Sequence, residues 1–119
     1  MKASKERAEC SFCGAHSDHV HRLIAGPRVF VCEVCVDLAT DVIDERAGRT
    51  SALARLVPVD RVDARVRCSF CGKGRDRVEG LAEAPDRPPA GKFGRGSGAP
   101  RICEGCLILC AEILSEGRV

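Results

Sequence analysis

A small α+β fold, built twice over, is what this sequence predicts, and three observations predict it. The first is a repeated cysteine pattern. Cys10-Ser-Phe-Cys13-Gly recurs as Cys68-Ser-Phe-Cys71-Gly, and each is answered by a further Cys-x-x-Cys, at Cys32/Cys35 and at Cys103/Cys106. The second is size. The repeat divides the 119 residues into two units of about 40 to 50, which bury too little apolar surface to fold without a staple. The third is composition: four Phe, with no Trp and no Tyr, do not fill a large core.

The staple that fits is a metal ion. Two residues between two thiols let a tight turn aim both sulfurs at one point, and four thiolates complete the tetrahedron of a structural zinc site. The expected sets are Cys10, Cys13, Cys32 and Cys35, and then Cys68, Cys71, Cys103 and Cys106. Each would hold one structural Zn²⁺. Zinc in small finger peptides has an apparent binding free energy of about 10–16 kcal/mol, enough to supply most of the folding free energy here. A secreted disulfide framework is the rival reading. Nine cysteines is an odd count for it, and the opening MKASKERAEC is charged, with no apolar signal core. No apolar run approaches the roughly 20 residues of a membrane span. The expectation is a zinc protein of the reducing cytoplasm with no membrane partner.

The elements follow in chain order. Each Cys-x-x-Cys-Gly should form a knuckle, with Gly14 and Gly72 in backbone angles that other residues avoid. Residues 20–24 and 28–31 read as short strands around a Gly26-Pro27 turn. The second Cys-x-x-Cys then opens a helix, Glu33 to Glu45 in the first unit and Glu104 to Glu116 in the second. Acidic residues near each start suit the helix dipole, and Gly48 and Gly117 are the expected stops. Knuckle, hairpin, then a helix carrying the last two ligands is the treble-clef plan. The organisation expected is module one at 1–46, a connector at 47–66 and module two at 67–119. In the connector, Leu53, Leu56, Val57, Val59 and Val62 are suited to a helical turn or an edge strand.

The repeat extends beyond the cysteines. An offset of 58 residues lays Val20 on Val78, Leu23 on Leu81 and Pro27 on Pro85. An offset of 71 then lays Cys32 and Cys35 on Cys103 and Cys106, and Leu38 on Leu109. The 13-residue difference falls in residues 86–100, whose Gly and Pro content is that of a flexible loop. Both helices are apolar on more than one face: Val34, Val36, Leu38, Val42 and Ile43 in the first, Leu107, Ile108, Leu109, Cys110, Ile113 and Leu114 in the second. Each hairpin should cover about half of these, and the remainder implies a partner surface. The nearest partner is the other unit, packed as an intramolecular pseudo-dimer.

The stretch CSFCG followed by HRLIAGPRVFVCEVCVDLATDVIDE resembles the N-terminal zinc-binding domain of ClpX, the unfoldase subunit of the Clp protease. The likeness is close from Cys10 to about Glu45, and weaker from Cys68 to Glu116 because of the loop and the looser LAEAP and CEGCLIL segments. Cys110 stands where that family often has a further cysteine that is not a ligand. The resemblance implies a four-cysteine treble clef that dimerises and helps recruit substrates and adaptors to the ATPase ring. It does not imply ATP-driven unfolding: these residues contain no GxxxxGK[ST] phosphate loop, and Gly91-Lys-Phe-Gly-Arg-Gly-Ser-Gly98 has its lysine in the wrong place.

The remaining candidates favour plain roles. His16, His19 and His21 face Gly74, Arg77 and Glu79 in the repeat, so they read as exposed hairpin residues. Cys110 reads as a buried helix residue. Arg65, Arg67, Lys73, Arg75 and Arg77 form a basic run interrupted by Asp76, which reads as a solvated face. Saturated zinc sites leave no open position for substrate, so no enzyme is expected. The function expected is a protein-interaction module, a monomeric pseudo-dimer or a homodimer. It would bind unfolded or client segments, adaptors or a Clp-type unfoldase, with Leu23, Ile24, Val29 and Phe30 as contact candidates. The alternative is a nucleic-acid-binding transcriptional regulator with tandem zinc modules. Against it, eight thiolates and two Zn²⁺ take the formal charge from +2 to about −2, and no aromatic platform is present for stacked bases.

Overall fold

The Cys-Ser-Phe-Cys-Gly sequence closes each knuckle through its own backbone. Gly14 N–H donates to the Cys10 carbonyl at 2.8 Å, and Gly72 N–H to the Cys68 carbonyl at 3.0 Å. Both glycines sit at positive φ, 82° and 81°, where a side chain would be strained. The serine joins the knuckle to the hairpin. Ser11 N–H donates to the Phe30 carbonyl at 2.9 Å while its Oγ accepts the Phe30 N–H at 3.1 Å. Ser69 does the same with Arg101, at 3.0 and 2.9 Å.

The protein is seen in a computed structural model that describes residues 9–26, 29–51, 54–63, 65–87 and 99–116. Strands β1 (Leu23–Gly26) and β2 (Val29–Cys32) form an antiparallel hairpin, with Leu23 opposite Cys32 and Gly26 opposite Val29. Helix α1 (Glu33–Glu45) follows directly. Then come β3 (Arg49–Thr50), β4 (Arg55–Pro58), β5 (Leu81–Glu83), β6 (Arg101–Cys103) and α2 (Glu104–Glu116). Both helices have the bounds expected from the sequence. The first strand starts later than residue 20, because Ser17–His19 forms a 3-10 turn. His16 Nδ1 accepts the Asp18 N–H there, at 3.2 Å. Arg75–Arg77 forms the matching turn in the second unit. The residue that ends α1 is Arg46, left-handed at φ 55°, and not Gly48. Gly117, Pro27 and Leu53 lie outside the described residues.

The connector folds into strands. Arg49 pairs with Leu56 in the β3–β4 hairpin, and β4 then joins β5, Val57 opposite Glu83 and Pro58 opposite Ala82. The result is a four-stranded sheet in the order β3-β4-β5-β6, beside the two-stranded β1-β2 sheet. Helix α1 packs on β2 of its own unit, and also on β3, β4 and β5. One core therefore runs through both units: Phe12, Val29, Val31, Val36, Ala39, Val42, Leu56, Ala82, Ile102, Leu107 and Cys110 are all buried in it. A smaller cluster holds Val59, Leu81, Cys68 and Cys103.

The helices lie side by side and antiparallel. Val36 and Asp37 near the start of α1 border a hollow with Leu114 and Ser115 near the end of α2, and Ile43 near the end of α1 borders one with Leu107. Their contact buries Val36 and Leu107 but leaves Ile108, Leu109 and Ile113 exposed. Gly26 lies against the Phe70 ring so closely that a Cβ there would run into it. The ends of the 86–100 stretch are anchored. Asp86 makes a two-point ion pair with Arg55 of β4 at 2.9 and 3.0 Å, and Pro100 is buried. Residues 88–98, including the glycine-rich run, lie outside the described residues. Among the described residues no helix is long and apolar enough to cross a membrane.

Candidate metal centres

Each sulfur set is assembled from a knuckle and a helix start. The knuckle turn presents Cys10 and Cys13. The hairpin then returns the chain so that Cys32, at the N-cap of α1, and Cys35, in its first turn, face them. In the second unit, Cys68 and Cys71 meet Cys103, the last residue of β6, and Cys106 of α2. Within each set all four Sγ atoms lie within 4.8 Å of one another. The eight residues that the spacing picks out are thus brought together in the two groups that it picks out.

The donor set and its dimensions fit zinc. A tetrahedron with Zn–S bonds of about 2.3 Å has S···S edges of about 3.8 Å. Cys13 and Cys32 are 3.8 Å apart at sulfur, Cys68 and Cys106 3.8 Å, and Cys71 and Cys103 3.7 Å. Backbone N–H groups already point at two of the sulfurs: Cys32 N–H at Cys10 Sγ and Phe70 N–H at Cys68 Sγ, both at 3.4 Å. Such bonds offset the charge of a tetrathiolate.

Without metal, neighbouring thiols of each group push one another's pKa values in opposite directions. Thiol hydrogen bonds from Cys10 and then Cys35 pull Cys32 down to about 2. Hydrogen bonding to Cys32, with burial, pushes Cys10 up to about 12, and Cys10 and Cys32 together raise Cys35. In the second group a hydrogen bond from Cys68 lowers Cys103 to about 5. Cys68 rises through that bond and burial, and burial, then the Cys103 charge, takes Cys106 up to about 12. The two lowered thiols each stand directly before a helix, where the free N–H ends favour an anion.

The other candidates are elsewhere. His16, His19 and His21 belong to neither sulfur group. Cys110 is buried behind the second group, and burial, then the Cys103 charge, raises its pKa. Arg75 departs from the solvated face expected for it. It is buried, and its guanidinium donates to the carbonyls of Val59 at 2.6 Å and Val78 at 2.9 Å, as an internal strut. Arg65, Arg67, Lys73 and Arg77 are exposed. Val29 is fully buried and is no contact residue, because strand alternation turns it and Val31 inward; Leu23, Ile24 and Phe30 are half-buried. Two contributors escaped the sequence reading. The paired serines, identical in both repeats, carried a signal that spacing alone overlooks. Arg87 carried none: it donates to the Ser11 carbonyl at 3.1 Å and lies over Gly14, so a residue of the second unit clasps the knuckle of the first.

Comparison with protein families adds one match. Residues 8–45 fit the family model of the ClpX C4-type zinc finger. This stretch is a zinc-binding module of the ClpX kind. The matched stretch holds the first sulfur group entire, from Cys10 to Cys35, and ends with α1. The second group, Cys68 to Cys106, stands beside the ClpX-type finger on its own geometry. No solved structure matches the chain.

Proposed function

We propose that the chain is a non-catalytic zinc-binding module that recognises protein segments: unfolded or client polypeptides, adaptors, or a Clp-type unfoldase. In this reading the two units are treble clefs packed as an intramolecular pseudo-dimer. The observation that carries it is that equivalent parts touch each other. Phe12 stacks on its repeat counterpart Phe70, and α1 packs on α2. Contact between equivalents is what a two-fold interface requires. The recruitment role is what a ClpX-type finger implies for this chain.

The chemistry agrees. Four thiolates around each ion fill its coordination shell and leave no position for a reacting water, so the zinc supplies structure. The chain's own residues supply recognition, through the apolar side chains of α2 that stay exposed after the units have packed. Ile108, Leu109 and Ile113 lie on one small helix, and a cluster of this kind marks a binding surface.

The test is fluorescence anisotropy with a reduced, carboxymethylated, permanently unfolded polypeptide as the labelled probe. Zinc-loaded chain should bind it, with little change between 50 and 300 mM salt, and chelator-stripped chain should not. Absence of binding to the polypeptide, with capture of labelled duplex DNA that weakens steeply with salt, would replace this reading by the nucleic-acid one.

A further inference from the structure

The two sulfur groups match in donors and differ in cover. Cys10, Cys32 and Cys35 are buried and Cys13 is half-buried, but in the second group Cys71 is exposed. Of the eight sulfur residues it alone is so. The neighbouring glycines show the same difference. The Arg87 guanidinium lies over Gly14, 3.0 to 3.2 Å from where a Cβ would stand, whereas at Gly72 nothing lies within 4 Å among the described residues. Arg67 also reaches the second knuckle, but it donates to the Gly72 carbonyl at 3.0 Å and leaves that face of the glycine open.

The insertion accounts for this difference. Arg87 lies in the stretch 86–100, where the second unit has 13 residues that the first lacks. The Asp86–Arg55 ion pair fixes the start of that stretch, and the Arg87 N–H turns back to the Ala84 carbonyl at 3.2 Å. Its side chain is thereby laid across the first knuckle. The first unit has no residues at the equivalent place to lay across the second. Within the second group, the Cys71 Sγ is 3.7 Å from the Sγ of the buried Cys103. An exposed thiolate with another sulfur in contact is the group an oxidant meets first.

We propose that Cys71 is the oxidation site of this chain, through which peroxide opens the second centre while the first stays loaded. The Cys71 thiolate attacks one oxygen of hydrogen peroxide. An S–O bond forms, the O–O bond breaks, and hydroxide leaves and takes up a proton. The Cys103 thiolate then attacks the Cys71 sulfur: the S–S bond forms, the S–O bond breaks, and a second hydroxide leaves and is protonated. Two thiolates, one peroxide and two protons thus give one disulfide and two waters, with the two sulfurs supplying both electrons. Cys68 and Cys106 are then left, half of the four donors that a structural zinc site needs, so this centre gives up its ion. At the first centre Arg87 covers the knuckle, and the sulfur that corresponds to Cys71, that of Cys13, is less open.

The experiment treats the zinc-loaded full chain, freed of added reductant, with hydrogen peroxide. A chromophoric chelator follows zinc release against a peroxide-free sample, and samples quenched by alkylation are mapped by peptide mass spectrometry. One zinc per chain should leave about tenfold faster than the other, in step with a Cys71–Cys103 bridge. Cys71→His keeps four donors and removes the exposed sulfur, so it should hold two zinc ions and lose the fast phase. Arg87→Ala uncovers the first knuckle. It should speed oxidation at Cys13 about threefold and leave the rate at Cys71 unchanged, which keeps the test decisive if Cys71→His does not load. Equal rates at the two centres, earlier opening of the first, oxidised products that omit Cys71, or an Arg87→Ala chain oxidised like the unaltered one would overturn the assignment. Zinc release that outruns sulfur oxidation would overturn it too. A Cys68–Cys71 bridge would overturn Cys103 as the partner sulfur.

Discussion

Phe12 and Phe70 occupy the same place in the two repeats, and their rings stack with centroids 6.4 Å apart and planes 18° from parallel. Each stands between the two cysteines of a knuckle, so the stack ties one sulfur group to the other. Phe12 is fully buried and Phe70 half-buried. The two metal centres are consequently joined by packing.

Removing the buried ring should be costly. Phe12→Ala is expected to destabilise the zinc-loaded chain by about 3–5 kcal/mol, from lost burial and the cavity left behind. Phe70→Ala should cost less. Together they should cost less than the sum, by about 0.5–1.5 kcal/mol, the coupling of an aromatic pair. Urea unfolding at a fixed free zinc concentration measures this; strict additivity would show that the rings do not support each other.

Gly26 has no room to grow. A Cβ there meets the Phe70 ring, so Gly26→Ala should force the two units apart locally at a cost of about 1–3 kcal/mol. The matching substitution Gly26→Ala with Phe70→Ala should recover part of the loss. Thermal melts of the three variants check it, and an unchanged melting temperature for Gly26→Ala alone would contradict the close approach.

Zinc loading should be strongly pH-dependent, with a definite sign. Cys10 and Cys35 in one group, and Cys68 and Cys106 in the other, have raised pKa values and hold their protons in the metal-free chain at neutral pH. The metal needs thiolates, so each ion expels at least two protons. The loaded state therefore binds fewer protons, and acidification favours the empty one. Affinity should fall roughly a hundredfold per pH unit for two protons. Calorimetry in buffers of different ionisation enthalpy counts the protons; release of fewer than two per ion would contradict the thiol assignment.

Arg87 should protect the first centre alone. Its bond to the Ser11 carbonyl holds that knuckle closed, whereas the second knuckle is held from within its own unit, by Arg67 donating to the Gly72 carbonyl at 3.0 Å. Arg87→Ala should speed zinc release from the first site about fivefold, the effect of roughly 1 kcal/mol from one hydrogen bond. A chromophoric chelator resolves the two sites as two phases. Equal acceleration of both phases would show that Arg87 acts on global stability.

Much of this was legible because it is local. Cys-x-x-Cys spacing, the glycine after each knuckle and the apolar period of each helix depend on residues close in sequence, and both helices span the residues expected. The connector was not legible in the same way. Residues 55–58 form a strand because Glu83 and Ala82, distant in sequence, offer an edge, and Pro58 fits because its missing N–H lies on the side away from β5. Arg46 ends α1 in a left-handed conformation without being glycine or asparagine. Arg75 looks like any surface arginine until the carbonyls of Val59 and Val78 converge on it.

The most direct measurement is native mass spectrometry of the purified chain from a reducing preparation. The account predicts a single chain carrying two zinc ions, with both lost together as the fold opens in acid. One zinc per chain, ions shared between two chains, or a metal-free chain lighter by the hydrogens of paired disulfides would contradict it.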